Sequence, residues 1–393
     1  MRVLVAGMWQ TDGVAAAAVA PFVRHRRRLA RRHGITVRLA PVADLVALRN
    51  RLAVSEADVV VALTPWHADR TQTLALFRAL HARPDRPALV YLDSFDQSSS
   101  PFFDLLPHVD LYVKKQHYRD LADYGRDDAG GFRFADFVHR RYGVAVPPGW
   151  HFGSPLPAAC ADRLVLGWNL ATDESLRRLV PLAAAGVPRL LPRPIDVHCR
   201  VGTGRDTPDW WYYHPHRRAA LARVRALGRR WRVVAAASEE ERVSRWRFRA
   251  ELLGSKLCVS PFGWGEIAYR DFEAILSGAL LLKPDMGHLV TEPDLFRPWE
   301  TYVPLRWDLS DLETQVATCL ADQALRRRIA GNALRRLLRY YRAREDLARV
   351  VAVLREAARR RCAGAGLAGV VPGRPLPREQ QQRGEETTCP TGA

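Results

Sequence analysis

The chain has 393 residues, of which 48% are hydrophobic and 26% are charged, and its formal net charge is +18. This length predicts two domains, and the apolar fraction excludes wholesale disorder. No apolar run reaches the roughly 18 residues of a membrane-spanning helix, and polar residues interrupt the N-terminal apolar stretch too early for a secretory signal. We therefore expect a cytoplasmic protein whose six scattered cysteines are reduced.

Arginine carries nearly all of the positive charge, and the charge is concentrated in two segments. Residues 322–361 contain 13 Arg and four acidic residues, and residues 24–32 contain six Arg and no acidic residue. Such a field favours anionic partners: nucleotide phosphates, an acidic membrane surface or nucleic acid. Codon bias in a GC-rich genome is an alternative origin of the high arginine content.

The first part of the chain alternates between short β-rich runs and helical patterns. Near-continuous apolar strands separated by helices predict a parallel sheet that is buried on both faces. Residues 125–157 give no clear element, whereas 163–168 are predicted to form a strand and 174–185 a helix. The predicted strands are 2–6, 35–39, 57–63, 88–93 and 109–113, and the predicted helices are 15–32, 43–52 and 69–82.

Three prolines within residues 188–194 predict a hinge or linker, after which the alternation restarts. The predicted strands are then 195–200, 232–237, 256–260, 279–283 and 302–305, and the predicted helices are 216–227, 239–253, 267–276, 309–320, 324–341 and 345–361. The sequence thus predicts an α/β fold of two Rossmann-like domains facing a cleft, 1–187 and 188–362, with C-terminal helices and a disordered tail at 363–393.

The most specific pattern lies in residues 255–285, where a strand, a glycine-rich turn, a helix and a second strand follow one another. Gly263 and Gly265 would let backbone N–H groups approach a phosphate at the positive end of the helix dipole. Arg270 would add a charge-assisted contact to a diphosphate. Glu266 and Glu273 are seven residues apart, which predicts a shared helix face. A capped helix with a merely solvated charged face is the alternative.

This stretch resembles the C-terminal nucleotide-binding half of GT-B glycosyltransferases, especially bacterial family-1 and exostosin-like members. The resemblance rests on the sequences Ser-Pro-Phe-Gly at 260–263, Gly-Glu at 265–266, Tyr-Arg-Asp-Phe-Glu-Ala at 269–274, and Gly278. It implies that Glu273 holds the ribose of a nucleotide-sugar donor. Glu266 and Arg270 are expected to be catalytic.

Two further segments are expected to face the donor if the resemblance holds. In GT-B folds the loop after the first strand of the second half faces the donor, so Arg200 or Arg205 is expected to contact phosphate; a surface loop is the alternative. Lys283, Asp285 and His288 follow a later strand and are expected at the mouth of the cleft, where Lys283 and Asp285 would bind the donor.

Residues 92–101 and 109–115 resemble the acceptor-side segment of the same proteins. Asp93 and Asp96 would stand at the carboxyl end of a strand, and Asp96 is the predicted general base toward a sugar hydroxyl, or a hydrogen-bond partner of it. A turn that caps the next helix is the alternative. Asp12, in the Gly-flanked loop 7–13, is a further acceptor-side candidate or simply a helix N-cap.

The sequence therefore predicts a glycosyltransferase of polysaccharide biosynthesis that moves a sugar from a nucleotide-diphosphate donor to a glycan, lipid-linked or small-molecule acceptor. No cofactor or metal is expected, because His198, Cys199, His214 and His216 lack a tetrahedral ligand spacing. The aromatic run 210–213 predicts a sugar- or RNA-stacking platform or, as the commoner outcome, a packed loop.

Three questions stay open at this stage. The basic C-terminal helices predict either a solvated face or peripheral attachment to the anionic inner face of a membrane, where lipid-linked acceptors reside. A non-catalytic relative that binds a nucleotide sugar or glycan is an alternative function. Nucleic-acid binding is less favoured, because no recognised module with interleaved aromatic and basic residues is present.

Overall fold

The structure is a computed structural model that describes residues 1–10, 12–204 and 210–363. The first part of the chain forms seven strands and four α-helices within these residues. The strands are β1 Arg2–Gly7, β2 Thr36–Pro41, β3 Val59–Leu63, β4 Ala88–Asp93, β5 Leu111–Lys114, β6 Gln116–Tyr118 and β7 Leu164–Leu166, and the helices are α1 Gly13–His33, α2 Leu45–Ala53, α3 Arg70–His81 and α4 Arg133–Tyr142.

Six of these strands form a parallel sheet in the order β2-β1-β3-β4-β5-β7 within the described chain. The residues of β3 and β4 are all buried, as the uninterrupted apolar runs predicted. Helix α1 begins at Gly13 because the Asp12 carboxylate accepts hydrogen bonds from the backbone N–H groups of Val14 and Ala15. It ends at Gly34, whose φ of 65° suits glycine.

Three short helices connect the first sheet to the second part of the chain: α5 Glu174–Arg177, α6 Val180–Ala184 and α7 Val187–Leu190. Strands and helices then alternate again. They are β8 Ile195–Val201, α8 Tyr213–Ala226, β9 Val233–Ala237, α9 Arg245–Leu253, β10 Ser255–Val259, α10 Tyr269–Leu276, β11 Leu280–Pro284, β12 Leu289–Thr291, β13 Val303–Leu305, α11 Leu312–Ala321, α12 Gln323–Ala343 and α13 Glu345–Ala363.

The second sheet has the order β13-β11-β10-β8-β9 in the described part of the chain, and all of its pairs are parallel. Two parallel sheets flanked by helices confirm the predicted α/β fold class. The carboxyl ends of parallel strands lie at one edge of a sheet, which is where such folds bind ligands. The turn between β10 and α10 lies at this edge.

Two structural elements tie the first sheet to later parts of the chain. The short strand β6 pairs with β12 in an antiparallel ladder, Gln116 opposite Thr291 and Tyr118 opposite Leu289. Helix α13 packs its apolar side chains, among them Val350 and Leu354, into the core formed by β1, β3 and β4. Arg344, with a φ of 54°, separates α12 from α13 and redirects the chain.

Some expectations differ from the structure. The irregular region 125–157 contains α4, whose apolar side chains Phe134, Ala135 and Val138 are buried. The tail from residue 364 onward lies outside the described residues.

Helix α12 exposes Arg328, Arg335, Arg339 and Arg342. No helix of the described residues is long and apolar enough to cross a bilayer, and attachment to an anionic membrane surface stays a prediction.

Candidate donor and acceptor site

Two residues from other parts of the chain pack tightly against the glycine turn between β10 and α10. They are Arg217, on α8, and Asp96, which follows β4. A Cβ atom on Gly263 would lie 1.8 Å from Nη2 of Arg217, and one on Gly265 would lie 2.1 Å from the carbonyl oxygen of Asp96. Gly265 is therefore required by close packing against the backbone, whereas a side chain at position 263 would have to displace the Arg217 guanidinium. Their predicted contact with a phosphate is not tested by these distances and stays a prediction.

Arg270, in the first turn of α10, has an incompletely satisfied guanidinium group. Its Nη1 donates a hydrogen bond to the carbonyl oxygen of Arg200 over 2.6 Å. Its buried Nε and Nη2 atoms have no hydrogen-bond partner within the described residues. Buried donors without partners are rare in folded proteins, because each forfeits its hydration. An anion that accepts from both atoms would remove this cost.

A second guanidinium group, that of Arg217 on α8, lies near Arg270. Arg217 donates to the carbonyl oxygens of Phe262, over 2.9 Å, and Gly202, over 2.7 Å. Burial, with a further contribution from Arg270, lowers the pKa of Arg217 to about 10. Two like charges held together at the end of a sheet are typical of an anion site. Arg217 stands outside the glycine-turn motif and was not among the predicted site residues.

Glu273, one turn further along α10, lies beside Arg270. Its carboxylate makes no hydrogen bond within the described part of the chain and is partly exposed. Burial raises the pKa of Glu273, while Arg270, Arg249 and Arg245 act in the opposite direction. Glu273, predicted to bind the ribose, therefore stands next to Arg270, predicted to bind the diphosphate, and both side chains keep hydrogen-bonding atoms without a partner among the described residues.

Glu266 faces the first sheet instead. Its carboxylate accepts hydrogen bonds from the backbone N–H of Ser98, over 3.1 Å, and from the Ser98 hydroxyl, over 2.6 Å. It is 1% exposed, and burial raises its pKa. The prediction that Glu266 and Glu273 share a helix face is wrong, because α10 begins only at Tyr269. The catalytic role of Glu266 stays a prediction.

Two of the other residues predicted to bind the donor, Arg200 and Lys283, form ion pairs with neighbouring side chains. Arg200 forms a bidentate pair with Glu251, at 2.6 and 3.0 Å. Although burial alone would raise the pKa of Glu251, His198 and Arg200 bring it to about 2. Lys283 lies 3.0 Å from Asp271, and both side chains are 0% exposed. A donor contact by Lys283 would require this buried ion pair to open.

Asp285 and His288 lie beyond β11, among aromatic side chains. An Asp285 carboxylate oxygen accepts a hydrogen bond from the Tyr302 hydroxyl over 3.0 Å. The His288 ring lies 5.0 Å from the ring of Trp307, and burial, followed by Arg133 and Arg119, lowers its pKa to about 3. His288 is therefore neutral at physiological pH. Arg205 lies outside the described residues.

On the acceptor side, the two predicted aspartates differ sharply in accessibility. Asp93 is 1% exposed and accepts hydrogen bonds from Lys114, over 3.0 Å, and Tyr112, over 2.8 Å. Asp96 pairs with Lys115, and its side chain remains 18% exposed. Asp96 therefore keeps some contact with solvent, whereas Asp93 is enclosed in a buried ion pair.

Tyr269 connects α10 to the loop that contains Asp12. Its hydroxyl donates to the carbonyl oxygen of Gly13 over 3.1 Å and lies 3.3 Å from Asp173. Burial raises the Tyr269 pKa, and the charges of Asp173, Asp96 and Asp12 add to the effect. Tyr269 and Asp173 were not among the predicted site residues. Asp12 acts as the N-cap of α1, and its predicted acceptor role is not tested.

The aromatic run after the undescribed segment is mainly a packing element. Trp211, Tyr212 and Tyr213 are buried, and the Tyr212 hydroxyl donates to the carbonyl oxygen of Trp264. Trp210 is partly exposed. Within the described residues, no group of three His, Cys, Asp or Glu side chains is placed to hold a metal ion.

Comparison with known families supports the sequence resemblance over the second half of the chain. Residues 209–352, which include the glycine turn, Arg270 and Glu273, match the model of a family described as glycosyl transferase-like. This match confirms the predicted resemblance to glycosyltransferases. No curated protein matches the sequence significantly.

Three of the solved structures that match this chain have low sequence identity and TM-scores below 0.5. An α-glucosyltransferase in complex with UDP and a 13-mer DNA is 10% identical, with a TM-score of 0.48 over 89% of this chain and 99% of that one. A glycosyltransferase from Rickettsia africae is 7% identical, with a TM-score of 0.45 over 91% and 98%. S. aureus MnaA in complex with UDP is 9% identical, with a TM-score of 0.44 over 88% and 97%.

Proposed function

We propose that the protein is a glycosyltransferase that takes a sugar from a nucleotide-diphosphate donor. The observation that carries the proposal is that Nε and Nη2 of Arg270 have no hydrogen-bond partner among the described residues, beside Arg217 and Glu273 and within the segment that matches the glycosyl transferase-like family. A diphosphate bound there would accept hydrogen bonds from Nε and Nη2 of Arg270 and would relieve the repulsion between the two arginines. The Glu273 carboxylate would accept hydrogen bonds from the two ribose hydroxyls.

The same groups would assist the transfer of the sugar. When the bond between the sugar and the diphosphate breaks, negative charge grows on the leaving phosphate, and fixed guanidinium groups stabilise that charge without reorganising. The positive end of the α10 dipole acts in the same sense. Held in place by Lys115, Asp96 would accept a proton from the acceptor hydroxyl. We propose a glycan or lipid-linked molecule as the acceptor.

A panel of nucleotides and nucleotide sugars tests this proposal. We expect a donor with the correct nucleoside to stabilise the folded protein by about 2.7 kcal/mol at a concentration 100 times its Kd, measured by thermal unfolding. Each nucleotide sugar that stabilises the protein is then incubated with the protein and candidate acceptors to detect sugar transfer. Binding without transfer to any acceptor would favour the non-catalytic alternative. Absence of any nucleotide effect, with salt-dependent binding to DNA or RNA, would contradict the proposal.

We expect Glu273→Gln to stabilise the free protein in a pH-dependent way while it weakens donor binding. Because burial raises the pKa of Glu273 in the folded state, the carboxyl contributes stability below its unfolded pKa of about 4.3, and this contribution disappears as the pH rises through the folded pKa. Glutamine does not titrate. The unfolding temperature of the variant relative to wild type should therefore increase between pH 4 and pH 8.

The exposed Glu56, whose side chain is 88% exposed, provides the matched control. Glu56→Gln should change the unfolding temperature only slightly, and it should leave the affinity for nucleotides unchanged. If the stability difference between Glu273→Gln and wild type were the same at pH 4 and pH 8, the burial of an ionisable carboxyl at this position would be contradicted.

A further inference from the structure

Helix α12 carries a stripe of arginines on its exposed side. Its residues, Gln323–Ala343, include seven Arg and no Asp or Glu. Four of these arginines are exposed and follow one another at spacings of seven, four and three residues, which places them on one face of the helix. They are Arg328, Arg335, Arg339 and Arg342. None of the four forms an ion pair within the described residues, so their positive charge faces solvent without compensation.

Exposed leucines lie in the connection between the two sheets. Leu182 on α6, Leu190 at the end of α7 and Leu191 directly after it are 56%, 83% and 39% exposed. No other leucine that the structure describes is exposed, and these three fall within ten residues of one another. Exposed apolar side chains that are scattered singly are ordinary, whereas a group of them in one short segment marks a surface that another molecule covers.

The leucine-bearing connection lies along α12. Helix α6 packs against α12, and the guanidinium carbon of Arg177 lies 5.0 Å from the centre of the Tyr341 ring, near the end of α12. Residues 175–195 contain four further Arg and no Asp or Glu. The structure thus places exposed leucines beside a helix with an unpaired row of positive charges.

We propose that this surface, formed by α12 and residues 180–191, binds the face of an anionic phospholipid bilayer. Guanidinium groups pair with lipid phosphates through two parallel hydrogen bonds, and leucine side chains enter the boundary between head groups and acyl chains. A nucleic acid would match the charge but would leave the leucines in water. A second copy of the chain would bring the same arginines and be repelled. The inference goes beyond the proposed function and does not depend on it.

Co-sedimentation of the full chain with vesicles tests the inference. The vesicles consist of phosphatidylcholine, with or without an equal amount of phosphatidylglycerol. We expect binding to the anionic vesicles only, and added salt should weaken it by screening. The arginine pair Arg339→Gln with Arg342→Gln should lower the affinity about 25-fold, because each arginine near such a surface contributes about a fivefold factor. The leucine pair Leu182→Ser with Leu190→Ser should lower it by at least about 10-fold.

Two control pairs remove the same kinds of side chain elsewhere. Arg223→Gln with Arg229→Gln takes two exposed arginines from α8 and the turn after it. Val46→Ser with Val54→Ser takes two exposed valines from α2 and its end. Both control pairs should bind anionic vesicles almost as wild type does. All four double variants should keep the wild-type unfolding temperature, because every substituted side chain is exposed.

Four outcomes would overturn the inference. The first is a wild type that does not bind anionic vesicles, and the second is an equal loss of binding in the control pairs. The third is binding to duplex DNA, without vesicle binding, that the arginine pair loses and the leucine pair keeps. The fourth is a concentration-dependent dimer, without vesicle binding, that the leucine pair abolishes. Nucleotide binding is measured in solution without vesicles, so the proposed function stands or fails separately.

Discussion

Arg270→Ala is expected to lower the rate of sugar transfer by about 10²- to 10³-fold. This is the usual effect of removing one fixed hydrogen-bond donor that stabilises the negative charge formed in the transition state. Its Nε and Nη2 atoms, which have no partner in the described part of the chain, are the donors of the proposed diphosphate site. Affinity for nucleoside diphosphates and for pyrophosphate should fall together, because the lost contact is to the phosphates. Steady-state kinetics and calorimetry with the same ligands measure the two effects.

The Arg270→Ala variant should fold as well as wild type. Burial and the neighbouring Arg270 depress the pKa of Arg217, so removal of Arg270 relieves a repulsion within the protein. Arg270→Lys should restore little activity, because an ammonium group lacks the planar fork that donates two parallel hydrogen bonds. Arg223, exposed on α8, is the control position for alanine. Wild-type kinetics and affinity in Arg270→Ala would remove the main support for the proposed function.

Asp271→Ala is expected to destabilise the protein by about 3–5 kcal/mol, because it leaves the buried ammonium of Lys283 without a counter-charge. Both side chains are 0% exposed and lie 3.0 Å apart, and the carboxylate also accepts a hydrogen bond from the backbone N–H of Ala268 over 2.9 Å. The Lys283 side chain makes no contact with solvent in this position. Urea unfolding, followed by circular dichroism, measures the loss.

A double variant distinguishes the cost of leaving the Lys283 charge unpaired from the cost of losing the packing of the Asp271 side chain. In the double variant Asp271→Leu with Lys283→Met, the charge is removed together with its partner, and replacing a buried ion pair by apolar side chains is often neutral or stabilising. The double variant should therefore be more stable than Asp271→Ala. A single variant within 1 kcal/mol of wild type would show that Lys283 finds another partner or loses its proton at little cost.

Much of the architecture could be predicted because it depends on local patterns. The strand Ala88–Asp93 was predicted at its observed bounds, since six consecutive buried residues leave a clear signal. The capping role of Asp12 follows from its position before an apolar helix. Helix α4 was missed because aromatic and glycine residues surround it, and its burial depends on contacts with α8 that no local pattern reveals.

The site was predictable only where the chemistry lies within one motif. Arg270 and Glu273 belong to one helix, and the structure places them side by side as expected. Lys283 was expected in the cleft because it ends a strand, but its register directs it toward Asp271. Arg217 and Tyr269 could not be assigned, because their roles depend on how α8 and α10 approach other parts of the chain. The positions of such side chains depend on tertiary packing, which no local sequence pattern reveals.

The return of α13 to the first sheet has a practical consequence for anyone who dissects this molecule. Residues 345–363 supply part of the apolar cover of β3 and β4, although they come last in the described chain. A fragment that stops before them would leave that sheet face open to water and prone to aggregate. Conversely, the isolated second half would carry an amphipathic helix with nothing to bury it. Truncation at the proline-rich connection is therefore expected to yield two insoluble pieces, and co-expression of both pieces is the route to a soluble split protein.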